Sequence, residues 1–245
     1  MNQQFIKIFV LYIAIIIMAC NGSQKSTGTE NHNTVQSENV ADEWVALFDG
    51  KTTNGWRGFN SDTIPQSWIV EEGTLKSLGL GGDIGGDIVY GEREFENFDL
   101  KLDWKISEGG NSGIFYHIVE GDKYKAAYET APEFQLIDDL KFPESLEEWQ
   151  KVGADYAMYY ADDKIVKPAG EWNSARIRYT AEKVEYWLNG KKTVEFVPYS
   201  DEWLERRNSG KWDAFPDYAI VKKGLIGLQD HGSFVWFRNI MIKEL

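Results

Sequence analysis

One segment of the sequence alternates strictly between apolar and charged side chains. From Phe98 to Ile106 every second residue is apolar, and the residues between them are Asp99, Lys101, Asp103 and Lys105. A period of two places the apolar side chains on one face of an extended strand and the charges on the other. Such a strand is half buried and half solvated, which is typical of antiparallel sheets. The segment therefore predicts a sheet that packs one face on a core.

The pair Asn189-Gly190 predicts a β-hairpin. It lies between the alternating residues of Val184–Leu188 and a second apolar pair, Val194 and Phe196. Both residues of a tight hairpin turn need positive φ, which Asn and Gly adopt at low cost. Further strands are predicted at 67–70, 73–77, 112–119, 132–137, 156–160, 174–180, 224–229 and 233–242.

Helical signals are few. Short helices are predicted at 144–151 and 201–207, the second with Ser200 as its N-cap and with Asp201 and Glu202 in its first turn. Many short strands with almost no helix indicate an all-β fold, a sandwich or jelly roll, in a single domain.

The first 43 residues have a different character. Lys7 precedes an uncharged apolar run at 8–19, which is shorter than the roughly 20 residues of a membrane-spanning helix but suits a signal peptide. Ala19 and Cys20, the single cysteine, resemble a bacterial lipobox; the alternative is an ordinary secretory signal with an incidental cysteine. The polar stretch that follows cannot bury a core. We therefore expect a signal peptide at 1–19, an acylated Cys20 with a flexible tether at 20–43, and a globular domain at 44–245.

The charge of the chain argues against several partners. It has 39 acidic and 26 basic residues, with a formal net charge of −13. Such a surface repels nucleic acid and anionic lipid, so we expect membrane attachment through the lipid anchor only. Asn21 is not the aspartate that often retains lipoproteins at the inner membrane. The sequence thus predicts an exported protein of the outer membrane, facing the periplasm or the cell surface.

Two segments carry candidate functional residues. His231 lies in Gln229-Asp230-His231-Gly232, which interrupts two apolar strands, and strand ends often hold working groups. The alternative is a turn in which Asp230 caps backbone N–H groups and His231 points to solvent. On the strand at 132–137, Glu133 and Gln135 share one face and Asp138 follows at the end. These side chains could bind sugar hydroxyls or a metal ion, or could form a solvated strand face.

Other signals are weaker. The common G-x-S-x-G, Walker, G-x-G-x-x-G and H-E-x-x-H signatures do not occur. The glycine-rich stretch at 79–86 contains Asp83, is followed by Asp87 and has no lysine, which favours a plain loop over a phosphate site. His117 shares a predicted strand face with Phe115 and Val119, and fits a buried histidine as well as a functional one.

Several blocks together resemble the 3-keto-disaccharide hydrolase domain family, once catalogued as a domain of unknown function. The blocks are LFDG (47–50), GW (55–56), WKI (104–106), GGNSGIFY (109–116), EFQLIDD (133–139), GEWN (170–173), WLNG (187–190), LQDHG (228–232) and VWFRNI (235–240). They follow one another in order across residues 44–245. Two positions depart from the family. His117, directly after the block at 109–116, stands where many members have arginine, and the block at 133–139 is followed by Leu140-Lys141-Phe142-Pro143, where members often have a histidine.

The resemblance implies a concanavalin A-like jelly-roll β-sandwich and an enzyme, a Bacteroidetes-type lipoprotein, that acts on 3-keto-glucosides or related oxidised sugars. The implied activity is a 1,2-lyase or a hydratase of the resulting 2-hydroxy-3-keto-glucal, giving net hydrolysis. A ketone at C3 acidifies the C2 proton, so a base can form an enolate that expels the C1 substituent. A non-catalytic carbohydrate-binding module and a conventional glycoside hydrolase with two carboxylates remain the alternatives.

The roles follow from this chemistry. His231 is the candidate base because an imidazole exchanges a proton readily near neutral pH, and Glu133 and Asp138 are an acid–base pair or, with His231, ligands of a divalent metal ion. Arg238 is expected to offset enolate charge. The remaining predicted substrate-binding residues are Asn111, Tyr116, His117, Gln135, Gln229 and Trp236. We expect Glu133, Gln135, Asp138, His231 and Arg238 to surround one pocket.

Overall fold

The computed structural model describes residues 43–81 and 86–245. The predicted signal peptide, the predicted lipidation site Cys20 and the tether up to residue 42 lie outside the described residues, as does 82–85 of the glycine-rich stretch. No helix among the described residues is long and apolar enough to cross a bilayer.

The described part of the chain consists of strands, with one short α-helix, α1 (Asp201–Arg207). The strands are β1 (Val45–Ala46), β2 (Trp56–Gly58), β3 (Trp68–Glu71), β4 (Thr74–Leu78), β5 (Ile88–Tyr90), β6 (Phe98–Ile106), β7 (Asn111–Ile118), β8 (Glu133–Ile137), β9 (Asn173–Tyr179), β10 (Val184–Leu188), β11 (Lys191–Phe196), β12 (Leu225–Leu228) and β13 (Phe234–Glu244). Short 3₁₀ turns lie at Ala127–Glu129, Glu148–Gln150 and Gly210–Ala214.

The strands form two antiparallel sheets. The larger sheet has eight strands, in the order β11-β10-β9-β6-β13-β4-β3 with β1 paired to β13, and the smaller has five, in the order β2-β5-β12-β7-β8. The sheets pack face to face, since the ring of Phe134 on β8 lies 5.1 Å from that of Tyr186 on β10. The Tyr186 hydroxyl also donates to the Tyr116 hydroxyl on β7 across the interface. The predicted all-β fold, a concanavalin A-like jelly-roll sandwich, is confirmed.

The strongest sequence signals are matched in detail. In β6 the apolar set from Phe98 to Ile106 is buried, and on the other face Lys101 is exposed and Asp103 and Lys105 are half-buried, whereas Asp99 is buried. The hairpin of β10 and β11 turns at Asn189 and Gly190, whose φ values are 49° and 80°. Helix α1 begins after Ser200, whose Oγ accepts a hydrogen bond from the backbone N–H of Trp203.

Two predicted elements are wrong. Residues 156–160 form no strand; the backbone N–H groups of Met158 and Tyr159 both donate to the Asp155 carbonyl, and Ala157 has a φ of 59°. This tight turn satisfies locally the groups that a strand would pair with a neighbour. The helix expected at 144–151 is reduced to the 3₁₀ turn Glu148–Gln150. Its residues are exposed or half-buried, and a short helix without a buried apolar face is marginal in water.

The outer face of the smaller sheet is partly covered by the chain itself. Phe115 on β7, Val89 on β5 and Leu225 beside them pack against Ala127 and Ala131, which belong to the segment between β7 and β8. This segment closes one half of the outer face as a small second core. The other half stays open toward the ends of β7, β8 and β12.

Candidate active site

A cavity of about 250 Å³ opens on the uncovered half of the smaller sheet. We call it the Glu133 cavity, and it is lined by Asn111, Tyr128, Glu133, Gln135, Tyr156, Lys211, Gln229 and His231. Phe134 and Leu136 point into the core, so alternation along β8 turns Glu133 and Gln135 outward. The structure thus brings the predicted residues of two distant strands to one place.

Glu133 lies flat across the neighbouring strand because that strand has a glycine there. Gly113 on β7 pairs with Gln135 on β8. A Cβ atom at Gly113 would lie 2.1 Å from the Glu133 Oε1 atom, which is far inside van der Waals contact. The missing side chain therefore allows the carboxyl group to rest on the floor of the cavity, and the residue Glu133 is only 4% exposed.

Burial dominates the electrostatics of Glu133. It raises the pKa of this carboxyl from 4.5 to about 8, against the Lys211 ammonium, which lowers it. The nearby carboxyls of Asp87 and Asp155 raise it further. Asp87 is itself buried, and its pKa is raised to about 7 for the same main reason. A carboxyl whose pKa lies near neutral pH is suited to exchange protons with a bound molecule.

Lys211 supplies positive charge in the Glu133 cavity. Its residue is exposed overall, but its Nζ lies over the rings of Tyr156, Trp212 and Tyr128, at 4.3, 4.8 and 5.0 Å from their centroids. Desolvation of the ammonium lowers the Lys211 pKa, and Glu133 opposes that shift. Cation–π contacts of this kind hold an ammonium in place without neutralising it.

Three amide oxygens in the cavity wall are buried and unpaired. The side-chain oxygens of Asn111, Gln135 and Gln229 have no hydrogen-bond partner in the part of the chain that the structure describes. The orientation of Gln135 is fixed, because its Nε2 donates to the backbone oxygen of Gln150 at 3.0 Å. An unpaired buried acceptor costs free energy unless a ligand supplies a donor. The cavity is therefore built to accept hydrogen bonds from O–H or N–H groups.

The structural interpretation of the turn at 229–232 holds for Asp230, and the functional interpretation holds for His231. The Asp230 carboxylate accepts from the backbone N–H groups of Gly81 and Gly232, at 3.0 and 3.1 Å. It is thus a capping residue, as the structural interpretation predicted. His231 is half-buried and lines the Glu133 cavity, as the functional interpretation predicted.

Asp138 does not line the Glu133 cavity, which corrects the predicted pocket. Its carboxylate accepts from the backbone N–H of Gly109 at 2.9 Å and from that of Leu140 at 3.2 Å. β8 ends at Ile137, and Asp138 stabilises the turn that follows. Its expected catalytic and metal-binding roles therefore have no geometric support.

Arg238 and Trp236 lie on the larger sheet, away from the Glu133 cavity. The guanidinium of Arg238 stacks 3.9 Å from the Trp172 ring and contacts the Asp103 carboxylate at 3.3 Å. Trp236 stacks with Lys105 and Lys76 on the same sheet. Both residues belong to β13, which follows the His231 turn in sequence but crosses into the other sheet. Closeness in sequence was misleading here.

Tyr116 and His117 are both buried between the sheets rather than in the Glu133 cavity. The Tyr116 hydroxyl accepts from Tyr186, and the His117 ring lies 4.3 Å from that of Tyr179 on the larger sheet. His117 has a φ of 56°, and the register of β7 against β12 shifts at this point. This irregularity turns His117 inward instead of onto the face of Phe115. Burial lowers the His117 pKa to about 4, and its Nε2 bonds to the Glu96 carbonyl.

The residues do not fit the suggested metal centre. Within 43–81 and 86–245, no group of three or more His, Cys, Asp or Glu side chains is placed to hold an ion. The suggested ligands were Glu133, Asp138 and His231, and Asp138 is committed to backbone N–H groups elsewhere.

Three lining residues were not predicted: Lys211, Tyr128 and Tyr156. Lys211 lies in the 3₁₀ turn Gly210–Ala214, Tyr128 lies in the 3₁₀ turn Ala127–Glu129, and Tyr156 also lies outside the strands. Such residues reach a site through the path of long connections, for which a single sequence has no periodic signal.

The sequence and the structure are similar to those of known proteins. Residues 43–243 match the profile of the family described as the 3-keto-alpha-glucoside-1,2-lyase-like domain. A 3-keto-disaccharide hydrolase of Bacteroides thetaiotaomicron is 31% identical over 295 aligned residues, with 100% of each chain covered. A crystal structure from Parabacteroides distasonis, provisionally assigned as a glycosyl hydrolase, is 46% identical, covers 87% of this chain and 99% of its own, and has a TM-score of 0.78. A second from that organism, assigned likewise, is 29% identical over 83% of this chain and 100% of its own, with a TM-score of 0.63.

Proposed function

The chain belongs to the 3-keto-α-glucoside-1,2-lyase-like domain family, and from this membership we propose that the Glu133 cavity cleaves 3-keto-glycosides by removing the C2 proton. The membership by itself supports a carbohydrate-active hydrolase. The finer proposal rests on one observation. A buried carboxyl of raised pKa, an ammonium and unpaired amide oxygens line the same small cavity.

Glu133 is the proposed base. In its carboxylate form it takes the proton from C2, and the C–H electron pair becomes an enolate with its charge on the C3 oxygen. The raised pKa makes this carboxylate a stronger base than an exposed glutamate. The structure favours Glu133 over His231 for this step, because Glu133 is buried on the cavity floor, where a proton acceptor is shielded from water.

Lys211 is the proposed stabiliser of the enolate. Its ammonium interacts electrostatically with Glu133 and is held over three aromatic rings. A fixed positive charge beside the C3 oxygen favours the enolate over the neutral ketone, and the effect is strong in a site with little water. This role replaces the one that the sequence assigned to Arg238.

His231 is the proposed proton donor to the leaving oxygen. When the enolate collapses, the C3 carbonyl re-forms, a C1–C2 double bond forms and the bond from C1 to the leaving oxygen breaks. The leaving oxygen takes the proton of the His231 imidazolium, and the products are an alcohol and a 2-hydroxy-3-keto-glucal. In the hydration step the oxygen of a water molecule bonds to C1, the proton that this water loses goes to His231, and the proton of Glu133 returns to C2, which completes net hydrolysis and restores both residues.

The amide oxygens of Asn111, Gln135 and Gln229 are the proposed acceptors for sugar hydroxyls. Three buried acceptors need three donors, and a pyranose ring presents hydroxyl donors around its edge. A site that leaves buried acceptors unpaired discriminates strongly against ligands without the matching donor. This arrangement supports a sugar over an apolar substrate of similar size.

The decisive experiment compares a 3-keto-glucoside with its unoxidised parent, each with deuterium at C2. We expect turnover of the keto sugar with loss of the deuterium, and almost no turnover of the parent, whose C2 proton is far too weakly acidic. Equal turnover of both with deuterium retained would establish a conventional glycoside hydrolase. Binding of both without turnover would establish a carbohydrate-binding module.

We also propose that the chain is exported and anchored in the outer membrane through lipid on Cys20. The support is the sequence at 8–20, since a run this short with alanine before cysteine suits a lipoprotein signal. Replacement Cys20→Ala should release the protein from the membrane fraction. Retention of that variant in membranes after a high-salt wash would refute the anchor.

A further inference from the structure

A second cavity of about 320 Å³ lies beside the Glu133 cavity. Its wall includes Trp149, Met158, Tyr160, Arg206 and Lys211. Lys211 lines both cavities. We call this space the Trp149 cavity, and its volume is at the lower end of the range for small-molecule pockets, which suits one ring rather than a chain of rings.

The side chains that separate the two cavities are in contact with one another. Tyr156 lines the Glu133 cavity, and its ring meets that of Trp149 edge to face at 5.3 Å. The Lys211 Nζ lies 4.3 Å from the Tyr156 ring centroid. The 3₁₀ turn that carries Trp149 also provides the Gln150 carbonyl that orients Gln135. A molecule seated on the Trp149 side therefore lies next to the proposed reacting atoms.

The exposed surface of the Trp149 cavity is aromatic. Trp149 is 37% exposed and Tyr160 is 55% exposed. Arg206 in the wall is already bound to the Glu202 carboxylate and to the Met158 carbonyl, and Lys211 faces Glu133. The cations of the wall thus have partners, while the aromatic faces remain available. The chemistry fits a neutral ring with an apolar face.

We propose that the Trp149 cavity is the leaving-group subsite, which binds the ring attached through the C1 oxygen while the keto sugar occupies the Glu133 cavity. The inference rests on the proposed function. It names the substrate class as glycosides whose leaving group is a neutral ring that stacks on Trp149. Such a ring is either the second sugar of a disaccharide or an aromatic alcohol, since both present a flat apolar face to an indole.

The test measures kcat and KM for three 3-keto-glucosides, whose leaving groups are methanol, glucose and phenol. Replacement Trp149→Ala should raise KM about 3- to 10-fold for the glucose and phenol substrates and leave the methanol substrate unchanged. An effect on both ring substrates, or on the glucose substrate alone, supports the subsite, and the second result identifies the ring as a sugar. Trp149→Phe should restore most of the affinity, because it retains an aromatic face.

Other outcomes overturn the inference. Equal loss with all three substrates would mean that Trp149 only supports Tyr156, and no loss with any of them would mean that no ring stacks there. The matched control is Trp187→Ala on the larger sheet, where the indole stacks on Arg176; it should change none of the values. If the unmodified protein converts none of the three substrates, the proposed function itself fails and this inference fails with it.

Discussion

The two outer faces of the sandwich carry similar polar residues but satisfy them differently. On the larger sheet, Asp99 is buried and accepts two hydrogen bonds from Arg176, at 2.7 and 2.5 Å. On the smaller sheet, the amide oxygens of Gln135 and Gln229 are buried with no partner among the described residues. A paired group completes its interactions within the fold, whereas an unpaired one gains them only from a ligand.

Strand neighbours explain the difference. On the larger sheet, β9 and β10 place basic residues beside acidic residues of adjacent strands, so Glu185 contacts both Arg178 and Lys192. On the smaller sheet, β7 and β12 contain Gly113 and Gly227, which supply no side chain to the outer face. The Glu133 carboxyl lies over Gly113 and the Ile118 side chain lies over Gly227, and the open room of the Glu133 cavity borders that carboxyl. Polar residues that border this room therefore mark the candidate site, while the charged face of the larger sheet is structural.

The largest effect is expected for Glu133→Gln on the smaller sheet, which should lower kcat far more than a matched change on the larger sheet. Glu133→Gln keeps the shape of the side chain but removes the base, so kcat on a 3-keto-glucoside should fall about 10³-fold. The matched change Asp99→Asn on the larger sheet should leave kcat unchanged and lower the thermal stability. Comparable losses of kcat in both variants would show that unpaired polar groups do not distinguish the catalytic face from the structural one.

Lys211→Met is expected to have the next largest effect. Loss of the ammonium should lower kcat about 10²-fold, since the enolate loses its positive partner. In the unmodified enzyme the rate of C2 proton abstraction, followed as loss of C2 deuterium, should rise with pH through about 8, as Glu133 loses its proton; this step does not use the His231 proton. Because Lys211 lowers the Glu133 pKa, the variant's rising limb should move to higher pH.

Two controls sharpen this result. Lys192→Met on the larger sheet removes a lysine that pairs with Glu185 and Glu195, and it should not move the pH profile. Dialysis against EDTA should leave activity intact; loss of activity on chelation would assign the enolate charge to a metal ion instead of Lys211. An unshifted limb in Lys211→Met would likewise contradict the proposed pair.

A smaller effect is expected for Gln229→Leu. The change removes a buried oxygen that has no partner in the described chain, so stability should stay equal or increase. KM should rise about tenfold, because a sugar hydroxyl loses its acceptor. Glu185→Leu on the larger sheet should do the reverse, with unchanged KM and a melting temperature lower by about 2–4 °C. Thermal unfolding and steady-state kinetics on both variants check the comparison, and a Gln229→Leu protein with unchanged KM would remove this acceptor from the site.

The smallest effect concerns the pH dependence of stability. Since burial raises the Glu133 pKa from 4.5 to about 8, the folded state favours the neutral acid. This contribution is complete below pH 4.5 and is lost as pH rises through about 8. Glu133→Gln stays neutral at every pH, so its melting temperature should match the unmodified protein near pH 5 and exceed it by about 2–4 °C at pH 9. Equal melting temperatures at pH 9 would show that the carboxyl is not held in a costly environment.

Much of the fold could be predicted, and the reasons are local. The strand β6 and the hairpin at Asn189 were specified by side-chain alternation and by turn chemistry, which act over a few residues. The strand expected at 156–160 was wrong because Asp155 closes a local turn that no periodicity reveals. Very short strands such as β2 and β5 were missed, since three residues are too few to show a period.

The candidate site was predictable only in part. Glu133, Gln135 and Gln229 were found because alternation and strand ends indicate which side chains face outward. Arg238 was misplaced because β13 crosses to the other sheet directly after the His231 turn. Lys211 was missed because its place depends on the path of the segment after α1, which carries no repeating pattern.

The sequence by itself determined the elements of this protein: the strand faces, the hairpin, the capped helix and the outward direction of Glu133 and Gln135. Only the tertiary structure decided which of these faces meet, that His117 turns into the core, and that Lys211 reaches the cavity of Glu133. Alternation and turn preferences are properties of neighbouring residues, so one chain records them directly. Which strands pair across the molecule, and which buried carboxyl faces an ammonium, depend on the packing of segments that can lie 100 or more residues apart, such as those of Asn111 and Lys211.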